Sequence, residues 1–223
     1  MKRELSEYEA FVFDFDGVLA DSVELKTEAF ARLFEEYGPE IQQRVVEHHR
    51  KHGGMTRAEK IRHYYRVFLG KPIEDGSLSA LCNRFSILVV DNVVAAPEIQ
   101  GAKGFLDFWY GRLPLFIDSA TPDVEIAEIV SRRGLSKYFG EILGSGRPKA
   151  ENLVYILEKH KIEPKNCLFF GDAASDYDAA MKCAVDFVGM VPESDAPLLR
   201  HAPHIKWFHD FSEIPLPADN HNT

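Results

Sequence analysis

The stretch Phe11-Val12-Phe13-Asp14-Phe15-Asp16-Gly17-Val18-Leu19 interleaves apolar side chains with two acids and turns at a glycine. An apolar, aromatic-rich run before a glycine reads as a central strand of a parallel sheet, covered on both faces. The carboxylates then stand at the carboxyl end of that strand, where open α/β sheets place their ligands. Acids separated by one residue push one pKa upward unless a cation sits near them. A calcium loop of the EF-hand kind fails, because Leu25 stands where its terminal bidentate Glu is required. A small hard ion such as Mg²⁺, held by a few carboxylates and a phosphate oxygen, fits the pair better.

Outward from this strand the pattern is helical. Asp21-Ser22 offers an N-cap, and Val23, Ala29, Phe30, Leu33 and Phe34 follow at helical spacing up to Gly38-Pro39. Ile41 to His52, Arg57 to Phe68 and Leu78 to Asn92 give further helices, with Gly53-Gly54 as a break. From Pro97 onward short apolar strands alternate with helices. Strands are expected at Leu113 to Ile117, Ile142-Leu143, Cys167 to Phe170 and Phe187 to Val191. Helices are expected at Gly104 to Tyr110, Asp123 to Arg133, Lys149 to His160 and Ser175 to Cys183. Repeated strand-helix units imply an α/β fold, a parallel sheet with helices on both faces. The end from Pro215 to Thr223 reads as frayed.

Bulk properties bound the function. A chain of 223 residues with 45% apolar and 27% charged residues has room for one domain and a modest insertion. Its net charge of −9 argues against nucleic acid, which needs a clustered basic surface. The start, Met1 to Glu7, lacks the apolar run of a secretory signal, and no stretch is expected to reach membrane-span length. Cys82, Cys167 and Cys183 match no zinc spacing and read as reduced packing thiols of a cytoplasmic protein.

Three more stretches carry chemistry. Leu115-Phe116-Ile117-Asp118-Ser119-Ala120-Thr121-Pro122 runs an apolar strand into hydroxyls and a helix start, where a hydroxyl and free backbone N–H groups can hold phosphoryl oxygens. The plain structural alternative makes Ser119 or Thr121 a helix cap. Gly144-Ser145-Gly146-Arg147-Pro148-Lys149 is no Walker loop. It places a lysine in a first helical turn, where the macrodipole favours acids. Cys167-Leu168-Phe169-Phe170-Gly171-Asp172-Ala173-Ala174-Ser175-Asp176 again ends an apolar strand in acids, with Asp178 reading as a first-turn acid.

In this order the four stretches resemble the motifs of the haloacid dehalogenase superfamily, phosphatase branch, and span most of the core. The resemblance implies a Rossmann-like three-layer core over residues 1–19 and 96–223 and an all-helical cap over residues 20–95. It implies Asp14 as the nucleophile that attacks phosphorus, and Asp16 as the general acid and base, with its pKa raised by partial burial and the bound phosphate. Ser119 and Ala120 then hold the phosphoryl group, and Lys149 offsets its charge. Asp14, the Asp16 carbonyl, Asp172 and Asp176 hold Mg²⁺. Asp118 departs from the small or apolar residue usual at its position and reads as an extra carboxylate behind the site.

The implied reaction is hydrolysis of a small phosphorylated metabolite, a sugar phosphate or phosphoglycolate-like ester, through an aspartyl-phosphate. The acid at Asp16 argues against dehalogenation. The alternatives are a phosphosugar mutase and a non-catalytic phosphate-binding protein. The basic break from His48 to Lys60 can reach down onto a leaving group, with Arg57 and Lys60 the candidates for substrate binding; a solvated helix end is the bland alternative.

Overall fold

The computed structural model describes residues 3–217, so the last part of the expected frayed end, residues 218–223, lies outside the described residues. Its sheet is parallel throughout and runs in the order β3-β2-β1-β4-β5-β6. The strands are β1 (Ala10–Phe13), β2 (Leu115–Asp118), β3 (Phe139–Leu143), β4 (Cys167–Gly171), β5 (Asp186–Met190) and β6 (Trp207–Phe208). β1 is central because every residue in it is fully buried, as a strand covered on both faces must be.

The two-residue period of β1 sorts the core. Phe11 and Phe13 face one layer, with Phe105 and Trp109 of α5 (Ala102–Trp109) and Ile126, Ile129 and Val130 of α6 (Asp123–Arg132). Phe13 stacks on Phe170 with ring centroids 5.0 Å apart. Ala10 and Val12 face the other layer, with Leu153 and Ile156 of α7 (Lys149–His160), Ala179 and Ala180 of α8 (Ala174–Lys182), and Leu198 of α9 (Pro197–His201). The three-layer α/β expectation is met.

Between β1 and β2 the chain is helical: α1 (Val23–Leu33), α2 (Pro39–Lys51), α3 (Arg57–His63) and α4 (Asp75–Ala95). The helix expected over Arg57 to Phe68 changes to a π-helical turn at Tyr64–Phe68, where buried Tyr64 stacks on Phe68. At the start of α1 the expected Ser22 cap is not formed. The Ser22 hydroxyl donates to Asp16 Oδ1 at 2.6 Å instead, a charge-assisted bond stronger than a cap to a neutral N–H.

One bulk expectation is overturned. Helix α4 has 21 residues and a mean hydropathy of 1.4 in its best window, enough by length and composition to cross a membrane. Ser77, Asn83, Arg84 and Asp91 break it into short apolar runs, which is why the sequence hides its length. In the fold it packs on α1, α3 and α6, with Leu78, Phe85, Val89 and Val93 buried. The short α9 and the two-residue β6, which pairs with β5 at Gly189 and Met190, had no pattern long enough to expect.

Candidate active site

Phe13 of β1 stands in register with Ile117 of β2 and Phe170 of β4. The carboxyl ends of these three strands therefore lie side by side, and strand order reverses between β1 and β4, the place where such sheets bind ligands. Asp14 and Asp16 leave β1 there, Ser119 leaves β2, and Asp172 leaves β4. Gly17 makes the turn possible: its φ is +79°, and a Cβ would lie 2.5 Å from Asp172 Oδ2.

Asp14, Asp172 and Asp176 bring carboxylate oxygens within 4.8 Å of one another, a group that can hold a metal ion. Lys149, at the first position of α7, joins them. Its Nζ lies 3.1 Å from Asp14 Oδ1 and 2.8 Å from Asp176 Oδ1, and donates to the Asp118 carbonyl at 2.9 Å. Burial works against the Lys149 charge, but Asp14, Asp176 and Asp118 outweigh it and hold the pKa above the ordinary lysine value. Burial, reinforced by neighbouring acids, pushes Asp14 up to about 7 despite Lys149, and pushes Asp172 well above the usual range. One lysine against three carboxylates, two of them buried, leaves negative charge that a divalent cation would neutralise. The all-oxygen donor set suits a hard ion.

Asp176, with no exposed surface, also accepts the backbone N–H groups of Asp172 and Ala173 through Oδ2, which fixes the loop after β4. Asp118 is equally buried; its Oδ1 accepts from Asn152 at 2.9 Å, and burial raises it to about 7. Ser119 is 1% exposed, and its Oγ accepts the Thr121 N–H at 3.2 Å. Neither Ser119 nor Thr121 caps α6, whose N-cap is Pro122. Arg147 and Asp178 stay outside the cluster: Arg147 covers the Tyr155 ring, and Asp178 faces His201.

Asp16 departs from expectation. Burial does work to raise its pKa, but Lys26, Ser22 and Thr121 prevail and hold it below the usual carboxylate value. Lys26 Nζ forms an ion pair with Asp16 Oδ2 and donates to Thr121 Oγ1 at 2.7 Å. Lys26 and Thr121 were missed as partners of the acid. The available signal was Ser22, Lys26 and Phe30 recurring every fourth residue, a stripe that puts a lysine on the inward face of α1.

A cavity of about 60 Å³ lies over these acids, closed from above by the helices between β1 and β2. Ala120 lines it, as do Arg57 and Lys60. The solvated helix end weighed above is not what forms. Lys60 is 2% exposed, and Arg57 is 9% exposed with its guanidinium on both oxygens of Glu125 at 2.6 and 3.1 Å. Glu125 in α6 and Asn152 in α7 were also unforeseen. Gly53 and Gly54 rest on Ala173 of the loop after β4 and on the start of α8, where a Cβ on Gly54 would come within 1.6 Å of Ser175 Oγ.

A family model for haloacid dehalogenase-like hydrolases matches residues 8–183. The chain is 29% identical over 192 residues to a phosphorylated carbohydrates phosphatase of Thermotoga maritima, covering 80% of this chain and 82% of that one. It is 23% identical over 229 residues to a phosphoglycolate phosphatase of Pasteurella multocida, covering 94% and 98% of the two chains. The crystal structure of a β-phosphoglucomutase from Clostridium difficile superposes with a TM-score of 0.75 over 94% of each chain at 21% identity, a likeness of fold. The matched span takes in all four acid- and lysine-bearing stretches, and the chain belongs to the haloacid dehalogenase-like hydrolases.

Proposed function

We propose that the protein is a Mg²⁺-dependent phosphatase of small phosphorylated metabolites, working through an aspartyl-phosphate on Asp14. The observation that carries this reading is the convergence of Asp14, Asp172 and Asp176 with Lys149 placed between Asp14 and Asp176. Asp14, the Asp16 carbonyl, Asp172 and Asp176 are the groups that would hold the ion. Mg²⁺ bound there supplies charge that offsets the phosphoryl oxygens. Both phosphatase relatives act on phosphate esters by name, which supports the same class.

In this reading Asp14 attacks phosphorus while Lys149 and the Ser119 hydroxyl hold the phosphoryl oxygens. Asp16 protonates the departing oxygen and then takes a proton from the water that hydrolyses the intermediate. Its low pKa suits the second task. For the first, the negative phosphoryl group must raise its proton affinity, with Lys26 the adjoining proton-bearing group. Residues 20–95 form the cap in this scheme, and residues 1–19 and 96–223 the core; closure of the cap excludes water from the reacting groups. The three free cysteines accord with a reducing cytoplasm.

The test is release of inorganic phosphate from p-nitrophenyl phosphate with Mg²⁺ and no bisphosphate activator, which also separates the hydrolase from a mutase. Asp14→Asn and Asp16→Asn must each remove turnover in a folded protein; activity retained by either variant contradicts its assigned role.

A further inference from the structure

Three cations line the cavity above the acids, and they are not equivalent. Lys26 is paired with Asp16, and Arg57 is held bidentately by Glu125. Lys60 has neutral partners instead: its Nζ donates to His49 Nδ1 at 2.8 Å and to the Gly53 carbonyl at 3.2 Å. Among the described residues it forms no ion pair, and Asp172 and Asp16 act on it only at longer range. Burial, with Lys26 as an added like charge, pushes Lys60 down to about 7, while burial and Lys60 push His49 down to about 2, so the histidine is a neutral acceptor.

A buried ammonium without a counter-ion costs free energy that a ligand anion recovers. The position of Lys60 is built rather than accidental. It follows a capping box in which Thr56 and Glu59 fix the start of α3, and it lies one turn beyond Arg57, which is anchored to the core. The adjoining walls, Phe30, Phe85 and Met55, offer no anion.

We propose that Lys60 is the specificity-determining residue of this site and selects phosphate esters of hydroxy acids by pairing with their carboxylate, an inference that rests on the phosphatase reading above. A hydroxyl in that place would leave the ammonium without a counter-charge. A second phosphate would bring more charge than one uncommitted lysine offsets. Arg57, its charge already met by Glu125, does not share the task.

The test compares phosphoglycolate with 2-hydroxyethyl phosphate, esters of equal chain length that differ in the carboxylate, using the full chain with Mg²⁺. The wild-type protein favours the acid in kcat/KM by roughly 10- to 100-fold, the worth of one charge-assisted hydrogen bond. In Lys60→Met that preference collapses to parity. Equal use of the two esters by the wild-type protein overturns the inference whether or not the variant folds, and so does a preference that survives in Lys60→Met. If neither ester nor p-nitrophenyl phosphate releases phosphate, the phosphatase reading falls, and this inference with it.

Discussion

Replacing Glu125 by Gln tests whether the helices over the site are tied to the sheet through one buried charge pair. Glu125 opens α6 on the core side. Its Oε1 meets Arg57 Nη2 at 2.6 Å, and its Oε2 accepts from Arg57 Nη1 at 3.1 Å and from Ser86 at 2.7 Å. Both charged side chains are 8% exposed, so solvent screens the pair little. The guanidinium also covers the Phe85 ring at 4.3 Å and donates to the Cys82 carbonyl.

Gln keeps the shape and an acceptor but leaves Arg57 buried without a counter-charge, a situation that costs about 3–5 kcal/mol. The remaining hydrogen bonds put Glu125→Gln at the lower end, near 3 kcal/mol. At roughly 2–4 °C per kcal/mol for a chain of this length, the expected fall in Tm is about 6–12 °C. Thermal and guanidinium unfolding measure it, and hydrogen exchange in α3 shows whether the loss appears as local opening. The double variant Arg57→Met/Glu125→Leu removes both charges together and is expected to recover most of the stability, giving a large coupling energy in the cycle. A loss below about 1 kcal/mol for Glu125→Gln, the range of a solvated surface pair, would refute the reasoning.

Two other outcomes follow from the site. Asp14 rises to about 7 from an ordinary carboxylate value near 3.9. The metal-free folded chain therefore binds more protons than the unfolded chain between about pH 4 and 7, and stability falls as pH rises through that window. Metal-free Tm should be lower at pH 8 than at pH 6, and Mg²⁺ should raise Tm more at pH 8; a flat profile that Mg²⁺ does not change counts against a shared cation at these acids. In Gly54→Ala the new Cβ falls 1.6 Å from Ser175 Oγ and 2.8 Å from Ser175 Cβ, which forces the Gly53-Gly54 turn away from the start of α8. A displacement near 1 Å lowers kcat/KM by up to about 100-fold, Ser175→Gly restores it, and an unaffected Gly54→Ala would mean that this contact is not kept during turnover.

The parts of the site legible in the sequence are those where chemistry and backbone share one contiguous stretch. Asp14, Asp172 and Asp176 could be placed because each follows an apolar strand whose burial fixes where its next residues emerge. Lys149 stood out because a cation in a first helical turn opposes the macrodipole and so needs another reason. The pairing of Lys26 with Thr121 across 95 residues, and of Arg57 with Glu125 across 68, carried no such signal. Helical spacing tells which residues share a face, not which face of another helix they meet.

That difference changes the reading of the chemistry itself. Considered alone, buried Asp16 should titrate high; with Lys26 against it, it titrates low. Considered alone, Arg57 and Lys60 are two basic residues one turn apart and equally suited to an anion. Glu125 separates them: it meets the charge of one and leaves the other facing the cavity with neutral partners. On the role proposed for Lys60, substrate selection depends on which of these two cations Glu125 has already satisfied. That assignment is made by α6, a helix outside every catalytic stretch, so a change at Glu125 is expected to alter substrate choice as well as stability by freeing Arg57 to compete with Lys60 for the ligand anion.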